Sequence, residues 1–199
     1  MGDRLTDWLF GVIARPVPTL NEIAREKPAG LGFLVYLGVT VLAGIAATFE
    51  QGTFAMLEEA IPEIGLYITP AVIIFGGIFL SVITLFVLSL VLHLFARLFG
   101  GSGGYWNFFS AFTFAGFPNI INVPVSLIAG FLGVVGTTLS ALTGFGLSIW
   151  ILVLHILALR ESYGLSTGMS ILAYFISLVL IVAVPIVITV AIVIAVIAL

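Results

Sequence analysis

The chain has 199 residues, 62% of them hydrophobic and only 8% charged, with a formal net charge of -3 and a mean hydropathy of +1.35. Soluble domains carry about 25% charged residues, so there is too little polar surface here to clothe a domain in water, and lipid must be the solvent for most of the chain. The absence of cysteine excludes disulfides, thiolate metal sites, cysteine nucleophiles and palmitoylation together.

The first 28 residues do not read as a span. Leu5, Trp8, Leu9, Val12 and Ile13 recur at helical spacing with Asp3, Arg4 and Asp7 elsewhere around the axis, which predicts an amphipathic helix lying in the membrane interface. Pro16 and Pro18 break it. Thr19-Leu20-Asn21-Glu22 then has the form of a capping box, in which the threonine bonds an early helical N–H and the glutamate reaches back. The short polar helix it opens ends near Pro28.

Four stretches lack charge and are long enough to cross a hydrocarbon core about 30 Å thick: residues 28–49, 64–96, 98–159 and 162–199. The third is too long for one helix, and the basic residues decide how many spans it holds. Arg97 and Arg160 flank it, and cytoplasmic loops collect Lys and Arg. Two flanks on one side require an even number of crossings, so two, with Gly130, Gly133 and Gly136 at the hairpin between them. Arg4, Arg15, Arg25 and Lys27 precede the first span and put the N-terminus inside. The loop after it carries Glu50, Glu58, Glu59 and Glu63 and no basic residue, so it lies outside. There Phe54, Leu57 and Ile61 predict a second short interfacial helix before Pro62. The expected fold is all-α: five transmembrane helices over residues 29–199, preceded by an interfacial N-terminal segment over 1–28, with the C-terminus outside.

Within the spans, small residues mark where helices approach closely. Gly136, Ser140, Gly144 and Ser148 recur every four residues in the fourth span, fit to pack within the bundle or between copies of the chain. Gly77, Ser81, Ser89, His93 and Arg97 form a similar ladder in the second, and Asn107, Ala111, Ala115 and Asn119 align in the third. These three helices are expected at the centre, and the fifth span at the periphery.

The third span also contains Phe117-Pro118-Asn119-Ile120-Ile121-Asn122-Val123-Pro124. Each proline removes a backbone hydrogen bond, and Asn119 and Asn122 are placed to satisfy the freed carbonyls. That is the structural reading. The functional one is a substrate site at a broken helix, as in transporters. His93 and His155 fall near one face of the membrane, where two imidazoles can hold a metal. Neither has a carboxylate or cysteine partner nearby in sequence, so interfacial hydrogen bonding is the preferred reading. Neither a metal nor a cofactor is expected. The run Gly100-Gly101-Ser102-Gly103-Gly104 has no P-loop lysine and reads as a flexible cytoplasmic turn. The six basic residues are dispersed and make no nucleic-acid patch.

The segment from Leu98-Phe99-Gly100-Gly101-Ser102-Gly103-Gly104-Tyr105 to Phe114-Ala115-Gly116-Phe117-Pro118 resembles the Ypt-interacting-protein (Yip) domain family. The entry Arg15-Pro16-Val17-Pro18-Thr19-Leu20 and the fourth-span residues Trp150, His155 and Leu157 resemble it too. The resemblance covers about residues 8–195. It implies a five-span protein with a cytoplasmic N-terminus, whose eukaryotic relatives bind prenylated Rab-type GTPases in traffic between endoplasmic reticulum and Golgi. Prokaryotic relatives have no settled activity. The chain lacks the long cytoplasmic N-terminal region and the Asp-Leu-Tyr-Gly-Pro type motif of eukaryotic members, so it reads as a prokaryotic-type protein of the cytoplasmic membrane. A small GTPase is its partner by family analogy alone.

The leading functional reading is therefore a non-enzymatic membrane scaffold or adaptor. It would recruit a protein partner through the N-terminal helix, the 97–107 loop and the 160–168 loop, in some oligomeric state of its own. The rival is a channel or transporter for an ion or small solute, with Pro118, Asn119, Asn122 and Pro124 shaping a polar gap. A membrane enzyme stands third.

Overall fold

The structure, a computed structural model, describes residues 2–48 and 70–197. The described residues form helices and no strand. In chain order they are α1 (Gly2–Ala14), α2 (Pro16–Glu26), α3 (Ala29–Ala47), α4 (Pro70–Leu98), α5 (Tyr105–Ala115), a 3-10 turn (Phe117–Ile121), α6 (Asn122–Ala129), α7 (Gly133–Tyr163) and α8 (Thr167–Ile197). The outside loop with Glu50, Glu58, Glu59 and Glu63, and the interfacial helix expected around Phe54, Leu57 and Ile61, lie outside the described residues.

Among the described residues, four stretches are long and apolar enough to cross a membrane: Ala29–Ala47, Ile74–Leu98, Tyr105–Ala129 and Gly133–Tyr163. α5, the 3-10 turn and α6 together make the third of these. This is a multi-pass membrane protein. Its side chains agree, since Phe75, Phe79, Val134 and Phe145 are exposed on helix faces that only lipid can solvate.

The N-terminal pair is helical, but its signals act differently from the sequence reading. Pro16 is the first residue of α2, where its fixed φ is already helical and its missing N–H costs nothing. That start comes three residues before the expected capping box and places Thr19 inside the helix. The Thr19 hydroxyl therefore donates back to the Arg15 carbonyl at 2.8 Å, and Glu22 accepts from the Trp8 indole N–H at 3.0 Å. No capping box forms. Lys27 closes α2 in the left-handed region (φ 56), its N–H on the Ile23 carbonyl at 2.9 Å.

Protein covers most of the apolar face of α1, and Ile13 at its edge stays exposed. Trp8 and Val12 are buried, and the Trp8 ring meets Phe114 edge-on at 5.7 Å. Leu5 and Leu9 pack against the same cluster. Aromatic and aliphatic surface finds closer complementarity in a groove of side chains than in mobile acyl chains.

That core is lopsided. Most of its members are Trp8, Val12, Leu20, Ile23 and Ala24 of α1 and α2, Leu92 and Ala96 near the end of α4, Phe108, Phe109, Phe112 and Phe114 of α5, and Leu154, Ala158, Leu159 and Tyr163 near the end of α7. All six basic residues sit at this same end, on α1, α2, Lys27 and the last turns of α4 and α7. α4 has 29 residues and α7 has 31, so each is roughly 14 to 16 Å longer than the hydrocarbon core. The ends of α4 and α7 form, with α1, α2 and α5, a close-packed helical cap at the basic end. α8 packs on α4 and α7, with Ser170, Ala173 and Ser177 facing inward.

The ladders divide between two uses. Ser89 of α4 and Ala111 and Ala115 of α5 are fully buried. The α7 ladder is used within the chain only in its first part, where the Ser140 hydroxyl is also buried. Gly136 is pressed against the Ala129 backbone, whereas a side chain added at Gly144 would meet nothing within 4 Å, and Ser148 is exposed. The hairpin turns at residues 130–132, and Gly133 has φ +55, a conformation that glycine adopts without strain.

Candidate functional site

Two features distinguish the molecule from a plain bundle: a hydrogen-bonded lock at the basic end and a broken third span flanked by hollows.

The lock is built on Tyr163, the last residue of α7 and almost wholly buried. Its hydroxyl bonds His93 Nδ1 of α4. Its carbonyl accepts the Ser102 N–H at 3.1 Å. Gly101 lies against its ring and against the Ala96 carbonyl, and Gly103 lies against the Ser162 carbonyl. A side chain at either glycine would strike backbone. The run 100–104, expected to be a flexible turn, is instead seated on the end of α7, because glycine lets the two backbones meet. Arg97 adds a bond from its guanidinium to the Gly101 carbonyl at 3.3 Å. Gly100 makes the turn itself, at φ +87, and Ser102 keeps an exposed side chain.

Neighbouring contacts extend the lock. Ser89 Oγ and the Tyr105 hydroxyl are 2.9 Å apart, and the Tyr105 ring meets His93 edge-on at 5.6 Å. Asn21 of α2 donates to Glu161 at 2.9 Å, and Glu161 also holds Arg160 at 2.6 Å. His155, lower on α7, stacks on Phe112 at 4.1 Å and places Nδ1 3.4 Å from the Tyr174 hydroxyl of α8. Each histidine thus has a tyrosine of its own, and no group of three metal-ligating side chains occurs among the described residues. The tyrosines were not singled out by sequence reasoning. The available signal was chemical: a buried phenol needs a partner, and the second span offers Ser89 and His93 on one face.

At the break, the helix stops at Gly116, makes a 3-10 turn with Pro118 buried in it, and restarts at Asn122. Pro124 falls in the first turn of α6, where no intrahelical bond is lost. Contrary to the sequence expectation, the asparagines do not cap the freed carbonyls; they bond each other, Asn122 Nδ2 to Asn119 Oδ1 at 2.7 Å. Three residues apart on one tight turn, their amides are closer to one another than to the vacated backbone groups. Replacing Asn122 by leucine leaves the Asn119 carbonyl unpaired and is expected to cost about 1 kcal/mol. Replacing both should recover much of it. Melting temperatures of the three variants in detergent measure the difference.

A hollow lies on each side of this amide pair. Asn122 lines one of about 400 Å³, with Ser126, Thr137, Ser140 and Gly144. Asn119 lines the other, of about 500 Å³, which extends between α3, α4, α5 and α7 to His155. Trp150 joins neither; it is exposed on the lipid-facing side of α7.

A family model described as Yip1 domain matches residues 10–198. No curated protein and no solved structure shows significant similarity to the chain. With nearly its whole length matched, and with apolar helices built to cross a bilayer, the chain belongs to the Yip1 domain family.

Proposed function

We propose that this protein is a non-enzymatic membrane scaffold that recruits a protein partner through the helical cap at its basic end. The carrying observation is the position of the core. The best-packed part of the molecule is the end that carries every basic residue, as a surface offered to a partner in water requires. Exposed Arg15, Arg25 and Lys27 give the cap a cationic surface, and the exposed Trp106 beside Ser102 supplies the kind of aromatic anchor that dominates protein interfaces. A small GTPase is the partner by family analogy.

The arrangement we favour has five spans. α8, with 31 residues and no basic residue in its last turn, is long enough to be the fifth. Basic residues are retained on the cytoplasmic side of membranes, so the cap faces the cytoplasm and the C-terminus lies outside, in the cytoplasmic membrane of a prokaryote. Phe10, Ile13 and Val17 remain exposed on α1 and α2, and with Arg15 they form a face suited to rest on the inner leaflet.

The test places a single cysteine at Ser102, the chain having none of its own, and attaches a photo-crosslinker in native membranes. Capture of one specific protein, with labelling only from the cytoplasmic side, is the expected result. Labelling only from outside would overturn both the orientation and the adaptor role. The rival reading, a conduit through the broken span, has against it that the two hollows share no lining residue and that Asn119 and Asn122, one in each, are bonded to each other. Solute flux in liposomes that Asn122→Leu abolishes would restore it.

A further inference from the structure

The larger hollow has the shape and polarity of a lipid site. Its wall along α4 runs from Ile74 to Leu88, about 21 Å at 1.5 Å per residue. With a volume of about 500 Å³, it has room for a hydrocarbon chain laid along that length. No Asp, Glu, Lys or Arg lines it.

Its two ends differ. Ala43, Gly44, Ala47, Ile74 and Gly77 make the end away from the basic cap, and they are apolar, all but Ile74 small. Six polar side chains line the slot, and two of them are engaged with backbone: Tyr36 donates to the Ser81 carbonyl at 3.1 Å, and Ser81 Oγ to the Ile78 carbonyl at 2.9 Å. The Thr40 and Thr84 hydroxyls have no such bond, and Asn119 and His155 are only partly engaged. Asn119 spends its carbonyl oxygen on Asn122 and keeps its amide N–H. His155 spends Nδ1 on Tyr174 and keeps Nε2. Polar groups facing an apolar slot inside a bilayer carry a desolvation cost unless a ligand meets them.

We propose that this slot holds one uncharged single-chain amphiphile, its hydroxyl or carbonyl head on Asn119 and His155 and its hydrocarbon tail running toward Ala47 and Ile74. A long-chain alcohol and a monoacylglycerol share that chemistry. A fatty acid carboxylate does not, because the slot offers no cation to pair with it.

Two adjacent glycines supply a matched test. A side chain added at Gly76 or at Gly77 meets nothing within 4 Å, yet only Gly77 lines the slot. Full-length protein in nanodiscs is irradiated with a monoacylglycerol carrying a diazirine at its tail end. The label is expected on the peptides around Gly44 and Ile74. Gly77→Leu should reduce it about tenfold, the scale of losing two buried methylenes' worth of contact, while Gly76→Leu labels like the wild type. Unlabelled monoolein and oleyl alcohol should compete and oleate should not, a comparison that needs no variant. Whichever of the two competes at lower concentration identifies the preferred head. Equal labelling of the Gly77 variant, equal competition by oleate, or label scattered over the lipid-facing helices would each overturn the proposal.

Discussion

Trp8→Ala is expected to cost about 3 to 5 kcal/mol, the range for removing a large aromatic from a packed core. Trp8 is 5% exposed, joins α1 to Phe114 of α5, and anchors Glu22 of α2 through its indole N–H. Alanine removes the ring from a groove that no other α1 residue can fill, and it leaves the Glu22 carboxylate without that donor. Arg4, whose guanidinium lies 5.5 Å from the Trp8 ring centroid, would keep only its pairing with Glu26, an exposed contact of small worth. The measurement is unfolding in detergent, together with limited proteolysis across residues 2–14, which should become rapid. Trp8→Phe separates the two contributions: it retains most of the packing and loses about 1 kcal/mol for the hydrogen bond. Unchanged melting and unchanged proteolysis in the alanine variant would mean that α1 rests on the membrane and contributes nothing to the cap.

Gly136→Leu is expected to be as damaging, for a different reason. A side chain at Gly136 would run into the backbone of Ala129, its carbonyl and its Cα together. Backbone cannot swing aside as a side chain can, so α6 and α7 must separate. Overpacking of this kind costs about 1 to 3 kcal/mol where a core can adjust and more where it cannot. Here the hairpin of residues 130–132 ties the two helices together and limits the adjustment. Gly144→Leu, two turns further along the same ladder, is the control. Its added side chain enters open space, and its melting temperature should stay near that of the wild type. If both variants melt alike, the ladder is not a packing device at Gly136 either.

These two sites show how far the ladders and stripes could be read. The periodicity of Leu5, Trp8, Leu9 and Val12 was legible as one apolar face, because helical spacing follows from backbone geometry alone. Which apolar surface covers it was not legible, since lipid and a groove of phenylalanines look alike to a hydropathy pattern. The Gly136 ladder carried the same ambiguity. Small residues permit close approach, but only a neighbouring backbone decides which of them is approached. The glycine run 100–104 was legible as a loop, and its seat on Tyr163 was not, because that contact joins residues sixty positions apart.

At the break, prolines and asparagines were legible as an interruption in the third span. Their mutual hydrogen bond and the hollows on either side depend on how α3, α4 and α7 close around the turn. The apolar spans and the all-helical class are local or compositional properties. They follow from the cost of placing charge or unpaired backbone in hydrocarbon, and they could be read residue by residue. The packed cap, the tyrosine–histidine pairs and the slot arise only where helices distant in sequence meet. Their geometry is set by side-chain shape at those meetings, and no periodicity in the sequence encodes it.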